Sequence, residues 1–173
     1  MDIRELRRAK DEFFRHSDES PLGEAERDGF AGLAYFSVDP SLQFEVTLAR
    51  DADEVEEMQL SDGSTREMTQ VGHVAFSVGG VERRLLAYEQ GHQLFIPFRD
   101  KTSAKETYGA GRYVEADHLG GSRYLLDFNT AYNPYCAYND AWSCPLPPLE
   151  NWLGVEVRAG EKTFPRAKAS SRA

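Results

Sequence analysis

Between residues 42 and 130 the chain is cut by reversal signals at such short intervals that little except hairpin-linked strands fits between them. Asp62-Gly63 and Gly79-Gly80 are two-residue hairpin signals, and Gly91 and Gly120-Gly121 mark two further reversals. The spacing predicts strands at 42–49, 54–60, 65–78, 81–89, 93–98, 108–116 and 122–129, with another at 152–158. Val74, Phe76 and Val78 alternate with smaller or polar residues, as do Leu94, Ile96 and Phe98, and again Leu153, Val155 and Val157. That period of two is what a half-buried antiparallel strand requires. Gly72 sits inside the longest segment and predicts a bulge where the strand leaves one neighbour and joins the next. The fold class expected is mainly β: an antiparallel β-barrel or coiled sandwich of about eight strands, since closure removes exposed edges.

One or two N-terminal helices precede the strands. Over 2–16, Ile3, Leu6, Phe13 and Phe14 form an apolar stripe with Arg4, Arg7, Arg8, Asp11 and Glu12 off it. Ser20-Pro21 reads as the N-cap and first position of a second helix reaching Gly32. Residues 1–161 then make one domain, with helices in 1–32 and the strands in 42–161, followed by a basic flexible tail over 162–173 carrying Lys162, Arg166, Lys168 and Arg172.

A net charge of −9 and a pI near 5.0 argue against nucleic acid or an anionic membrane as partner. No run approaches the roughly 18 apolar residues of a membrane span. The first residues carry no apolar signal-peptide segment, so a cytoplasmic location with reduced thiols is expected.

The densest chemistry lies in the long loop 129–151 and the strand end that leads into it. Leu126 to Glu150 holds three asparagines, three tyrosines, one tryptophan, four prolines and both cysteines of the chain. A long aperiodic loop of that composition is more often functional than connective.

Two blocks form a wider pattern. One runs from Phe98-Arg99-Asp100-Lys101-Thr102-Ser103 through Thr107-Tyr108-Gly109-Ala110-Gly111 to Arg112-Tyr113. The other runs from Asp127-Phe128-Asn129 through Asn133-Pro134-Tyr135-Cys136-Ala137-Tyr138 to Cys144-Pro145-Leu146-Pro147-Pro148, and on to Ala159-Gly160-Glu161-Lys162. With Tyr35-Phe36 and Val38-Asp39-Pro40 upstream, the chain resembles a prokaryotic family known as domain of unknown function 1684. The resemblance implies a single domain and locates a site in these blocks, and it implies no activity. Ala104 departs from the pattern, which is expected to carry glycine there.

Read for their own chemistry, Arg112 and Asp127 fall on neighbouring strands and share a face if an even number of residues joins those strands. They form either a buried ion pair or a ligand-orienting pair whose guanidinium clamps a carboxylate or phosphate. Asn129 and Asn133 fit caps on their own backbone. Together with Asp127 and Glu150 they could offer hard oxygens to calcium or magnesium, but the spacing matches no EF-hand-like loop, and neither metal nor cofactor is assigned.

Cys136 and Cys144 admit three readings: reduced buried thiols, a short-loop disulfide, or half of a zinc site. A cysteine nucleophile is weaker, with no histidine at a recognisable distance, and His73 and His92 read as ordinary strand histidines. Tyr132, Tyr135, Tyr138 and Trp142 suit an aromatic wall or a loop anchor equally.

The site expected is a small polar or anionic molecule held at one barrel end by Arg99, Asp100, Thr107, Arg112, Asp127, Asn129, Tyr132, Asn133 and Glu150. Two alternatives stand beside it. One is a hydrolase- or isomerase-type enzyme using Asp127 or Glu150 as base with Arg112 as electrostatic stabiliser. The other is a non-catalytic module docking a protein through the aromatic loop.

Overall fold

The computed structural model describes residues 2–166, so Lys168 and Arg172 of the expected tail lie outside the described residues. Helix α1 spans Ile3–His16 and begins at a capping box: the Asp2 carboxylate accepts from Arg4 N–H, and the Glu5 carboxylate accepts from Asp2 N–H. The second helix is shorter than expected. It covers only Glu24–Asp28, because the Ser20 hydroxyl donates to Phe14 O and accepts from Leu22 N–H, closing the turn after α1 instead of capping α2.

Seven antiparallel strands follow: β1 (Gln43–Thr47), β2 (Glu54–Gln59), β3 (Thr65–Val78), β4 (Val81–Gln90), β5 (Gln93–Phe98), β6 (Arg112–Gly120) and β7 (Arg123–Asp127). They form one sheet in the order β1-β7-β6-β5-β4-β3-β2. This sheet is not closed into a barrel; β1 and β2 are its ends. It is strongly coiled, and residues just beyond β1 return to its far side, where Ala49 and His73 exchange N–H···O bonds of 2.9 and 3.1 Å. Gly72 makes that approach possible. Its φ is +137° and a Cβ would collide with the Ala49 carbonyl. The predicted bulge is there, with a register break between Gln70 and Gly72; β2 pairs with β3 before the break and β4 mainly after it.

Two strand expectations shift. The segment expected at 108–116 starts at Arg112, because Gly111 N–H closes a turn onto Tyr108 O. The eighth strand, 152–158, does not form. Leu153 N–H donates to Arg99 O and Lys101 N–H to Val155 O, so this segment lies against the loop after β5 without joining the ladder.

One core fills the concave side of the sheet, where Val74, Leu85, Ile96, Phe98, Val114, Leu126 and Phe128 are buried. A second cluster on the other face gathers Met58, Tyr88, Phe95, Tyr113, Cys136 and Cys144. Phe14 of α1 packs with Leu22, Ala137 and Tyr138, its ring edge-on to Tyr138 at 4.9 Å. The long loop is thus clamped between the sheet and α1. No helix of the described residues is long and apolar enough to cross a membrane.

Candidate functional site

The nine residues expected to converge are divided among separate places. Arg112 is fully buried on the core face. Its Nη1 donates to Ala159 O and Glu161 O, and its Nη2 donates to Val157 O at 2.8 Å and to Asp100 Oδ1 at 3.5 Å. Burial pushes the guanidinium pKa down, and the neighbouring Asp100 charge opposes that shift.

The ion-pair partner of Arg112 is therefore Asp100, not Asp127. The register explains the correction. Asp117 lies opposite Leu125, so Glu115, Asp117, Leu125 and Asp127 share one face of the sheet, while Arg112, Val114 and Ala116 point to the other.

Asp100 also accepts from Val157 N–H at 2.6 Å and from the Thr102 hydroxyl, which meets the Thr107 hydroxyl at 2.9 Å. Arg112, Asp100, Thr102 and Thr107 together bolt the segment 157–161 onto the sheet. Breaking a buried pair of this kind by removing one partner costs about 3–5 kcal/mol.

The other expected residues scatter further. Arg99 stacks on Trp152 at 4.2 Å, beside a separate cavity of about 500 Å³ shared with Glu56, Tyr88 and Leu149. Glu150 is exposed on a single 3-10 turn, so neither carboxylate offered as a base stands beside Arg112. Asp127 caps the turn after β7 by accepting from Asn129 N–H at 2.9 Å. Asn129 pairs through both ends of its amide with the backbone of Asp39, 90 positions away, and so ties two distant segments together instead of capping its own backbone as expected. Among the described residues no group of three or more His, Cys, Asp or Glu side chains gathers to hold a metal ion.

One of the nine, Asn133, reaches a carboxylate outside the set, that of Glu161, and Tyr132 and Asn129 line the cleft beside it. Glu161 is 1% exposed. Its Oε2 accepts from Asn133 N–H and from the Tyr138 hydroxyl, both at 2.6 Å, and its Oε1 is ion-paired with Lys10 Nζ at 2.5 Å. Gly160 lets the carboxylate enter: its φ is +79°, and a Cβ there would lie 2.6 Å from Ala131 O.

Between this cluster, α1 and the sheet lies a cleft of about 350 Å³ lined by Arg7, Lys10, Tyr35, Glu115, Tyr132 and Glu161, with Asn129 also on its wall. Tyr132 donates to Glu115 Oε1 at 2.6 Å, and Lys10 Nζ lies 4.9 Å from its ring centre. The Arg7 guanidinium lies 4.2 Å over the Tyr35 ring and donates to Phe36 O and Asn129 O. Burial, reinforced by the Glu161 charge, holds the Tyr35 hydroxyl well above the ordinary phenol range, and burial draws the Arg7 guanidinium down.

Arg7, Lys10, Tyr35, Glu115 and Glu161 were not among the expected site residues. The signals were in the sequence. Ile3, Arg7, Lys10 and Phe14 share one face of a helix, Glu115 alternates with core residues along its strand, and Tyr35 and Glu161 stand in the blocks that carry the family resemblance.

A search of curated proteins finds no match. A solved structure that matches is the solution NMR structure of an uncharacterised protein of Haloarcula marismortui, 40% identical, with 93% of this chain and 92% of that chain covered and a TM-score of 0.72. The model of the family described as "Protein of unknown function (DUF1684)" matches residues 28–162, which takes in Tyr35, the Arg112 bolt, the long loop and Glu161; the chain belongs to that family.

Proposed function

We propose that the protein binds a small polar molecule carrying an anionic group in the cleft between α1 and the sheet. One observation carries this reading: Arg7 Nε and the Tyr35 hydroxyl are buried without a hydrogen-bond partner in the protein, Glu161 Oε1 has only the Lys10 ammonium, and all three line the same cleft. Buried polar atoms are nearly always partnered, so two unpartnered donors beside the Glu161 carboxylate at one cavity support a ligand that supplies the missing bonds. Arg7 and Lys10 meet the anionic end. Glu115 and Asp117, which also line the cleft, accept from hydroxyl or ammonium groups. The cleft lies on the outer face of the open sheet, under the helix, and not at the mouth of a closed barrel. The acidic chain and the size of the cleft favour a small molecule over nucleic acid or a membrane.

The test is a thermal-shift screen of small carboxylates, phosphates and amino acids, with hits measured by calorimetry against Tyr35→Phe and Arg7→Met. Tyr35→Phe removes a hydroxyl that has no protein partner, so the fold keeps its bonds, and affinity should fall about tenfold for the lost hydrogen bond. A panel without a hit, or both variants binding as tightly as the parent, would sink the assignment.

A further inference from the structure

We propose that Cys136 and Cys144 are a reversible dithiol–disulfide pair, with Cys136 as the sulfur that a peroxide attacks and Cys144 as the sulfur that resolves it. Both are free thiols in this structure. Ser61, just beyond β2, donates its N–H to Cys144 O at 2.9 Å and accepts Cys144 N–H on its hydroxyl at 3.0 Å. Cys136 opens its own contact to the same residue, its N–H donating to Cys144 Sγ at 3.3 Å. The sulfur of Cys144 therefore lies against the backbone of Cys136, and the loop between them is already folded back on itself. That contact brings the Cys144 sulfur to the residue it would bond, as a disulfide needs.

The surroundings distinguish the two sulfurs. Tyr108 Oη stands 3.6 Å from Cys136 Sγ. The neighbouring Cys144 thiol is the largest influence on Cys136, and with Tyr108 beside it outweighs burial and draws the Cys136 thiol down to about 6. Cys144 is pushed the opposite way by the same neighbour and by burial. A thiolate flanked by a protonated thiol is the arrangement of an attacking and a resolving cysteine. At 5% and 7% exposure both cysteines are buried, so the oxidant that suits them is a small one such as hydrogen peroxide.

The chemistry balances with hydrogen peroxide as the oxidant. Cys136 sulfur takes one peroxide oxygen, the O–O bond breaks, and the other oxygen leaves as water with the thiol proton. Cys144 sulfur then attacks the sulfenic sulfur, the S–O bond breaks, and the oxygen leaves as a second water with the Cys144 proton. Two thiols are oxidised and one peroxide is reduced. The bond would staple the loop between the end of β2 and the stretch 133–138, which supplies two of the groups that hold Glu161.

The test treats the full-length protein with hydrogen peroxide and follows its intact mass. The parent should lose the mass of two hydrogens, lose both alkylatable thiols when denatured, and recover both with dithiothreitol; its melting temperature should rise by about 5 °C on oxidation. Cys144→Ser should instead stop at a sulfenic acid on Cys136 that a dimedone probe labels, whereas Cys136→Ser should give no labelled sulfenic acid at Cys144. Thiols that merely pack would leave the parent mass unchanged or carry it straight to added oxygen. Either result overturns the proposal, as does equal labelling of the two single variants.

Discussion

Ala104 shows how much a single residue can disclose once its backbone is seen. It is the one non-glycine with positive φ among the described residues, at +66°, and its N–H donates to Thr107 O in the turn that presents the buried threonine. A left-handed conformation costs an L-residue about 1–2 kcal/mol, and glycine avoids that cost while losing more backbone freedom on folding. Ala104→Gly should therefore stabilise the protein by about 0.5–1 kcal/mol, read as a higher urea midpoint at unchanged slope. A lower midpoint would mean that the turn is not strained. In the sequence this position was visible only as a departure from the family pattern. Its physical reason is the turn, which depends on Asp100, Thr102 and Thr107 closing around it.

Among the elements, α1 is where expectation and structure differ most usefully. The stripe read from its apolar residues is real at Phe14, which is 1% exposed, but Leu6 is 46% exposed. Arg7 and Lys10 continue the inward face because their apolar stems can lie along the protein while their charges reach Tyr35 and Glu161. The helix is thus held by one aromatic anchor and a polar lining. Phe14→Ala should cost about 3–4 kcal/mol and release α1 before the sheet unfolds. Hydrogen exchange over residues 3–16 would then quicken while β3 to β6 stay protected. Unchanged protection in α1 would show that Arg7 and Lys10 alone suffice. The strands were legible for a different reason: alternation and turn chemistry are local, so β3, β4 and β5 lie where the pattern put them, and Gly72 bends β3 as expected.

For the whole molecule, the buried tyrosines set the alkaline limit of stability. Tyr35, Tyr88, Tyr113, Tyr132 and Tyr138 are all raised above the ordinary phenol value near 10, burial being the largest cause in each. A group whose folded pKa is raised contributes stability that is complete below its unfolded pKa and is lost as pH rises toward the folded value. The tyrosine contribution to the unfolding free energy should therefore hold steady up to about pH 9 and fall with increasing slope above about pH 10, as unfolded tyrosines ionise and folded ones do not. Urea titrations at stepped pH, with tyrosinate absorbance recorded alongside, would check this; absorbance that rises before the protein unfolds would contradict it.

The turns, most of the strand spacing and the family could be read from the chain alone, since each depends on residues a few positions apart or on continuous blocks. Only the tertiary structure decided that Arg112 meets Asp100 and that Lys10 meets Glu161. Such pairings turn on register, where one residue of slip reverses a side chain's face, and on how the coiled sheet brings distant segments against a helix.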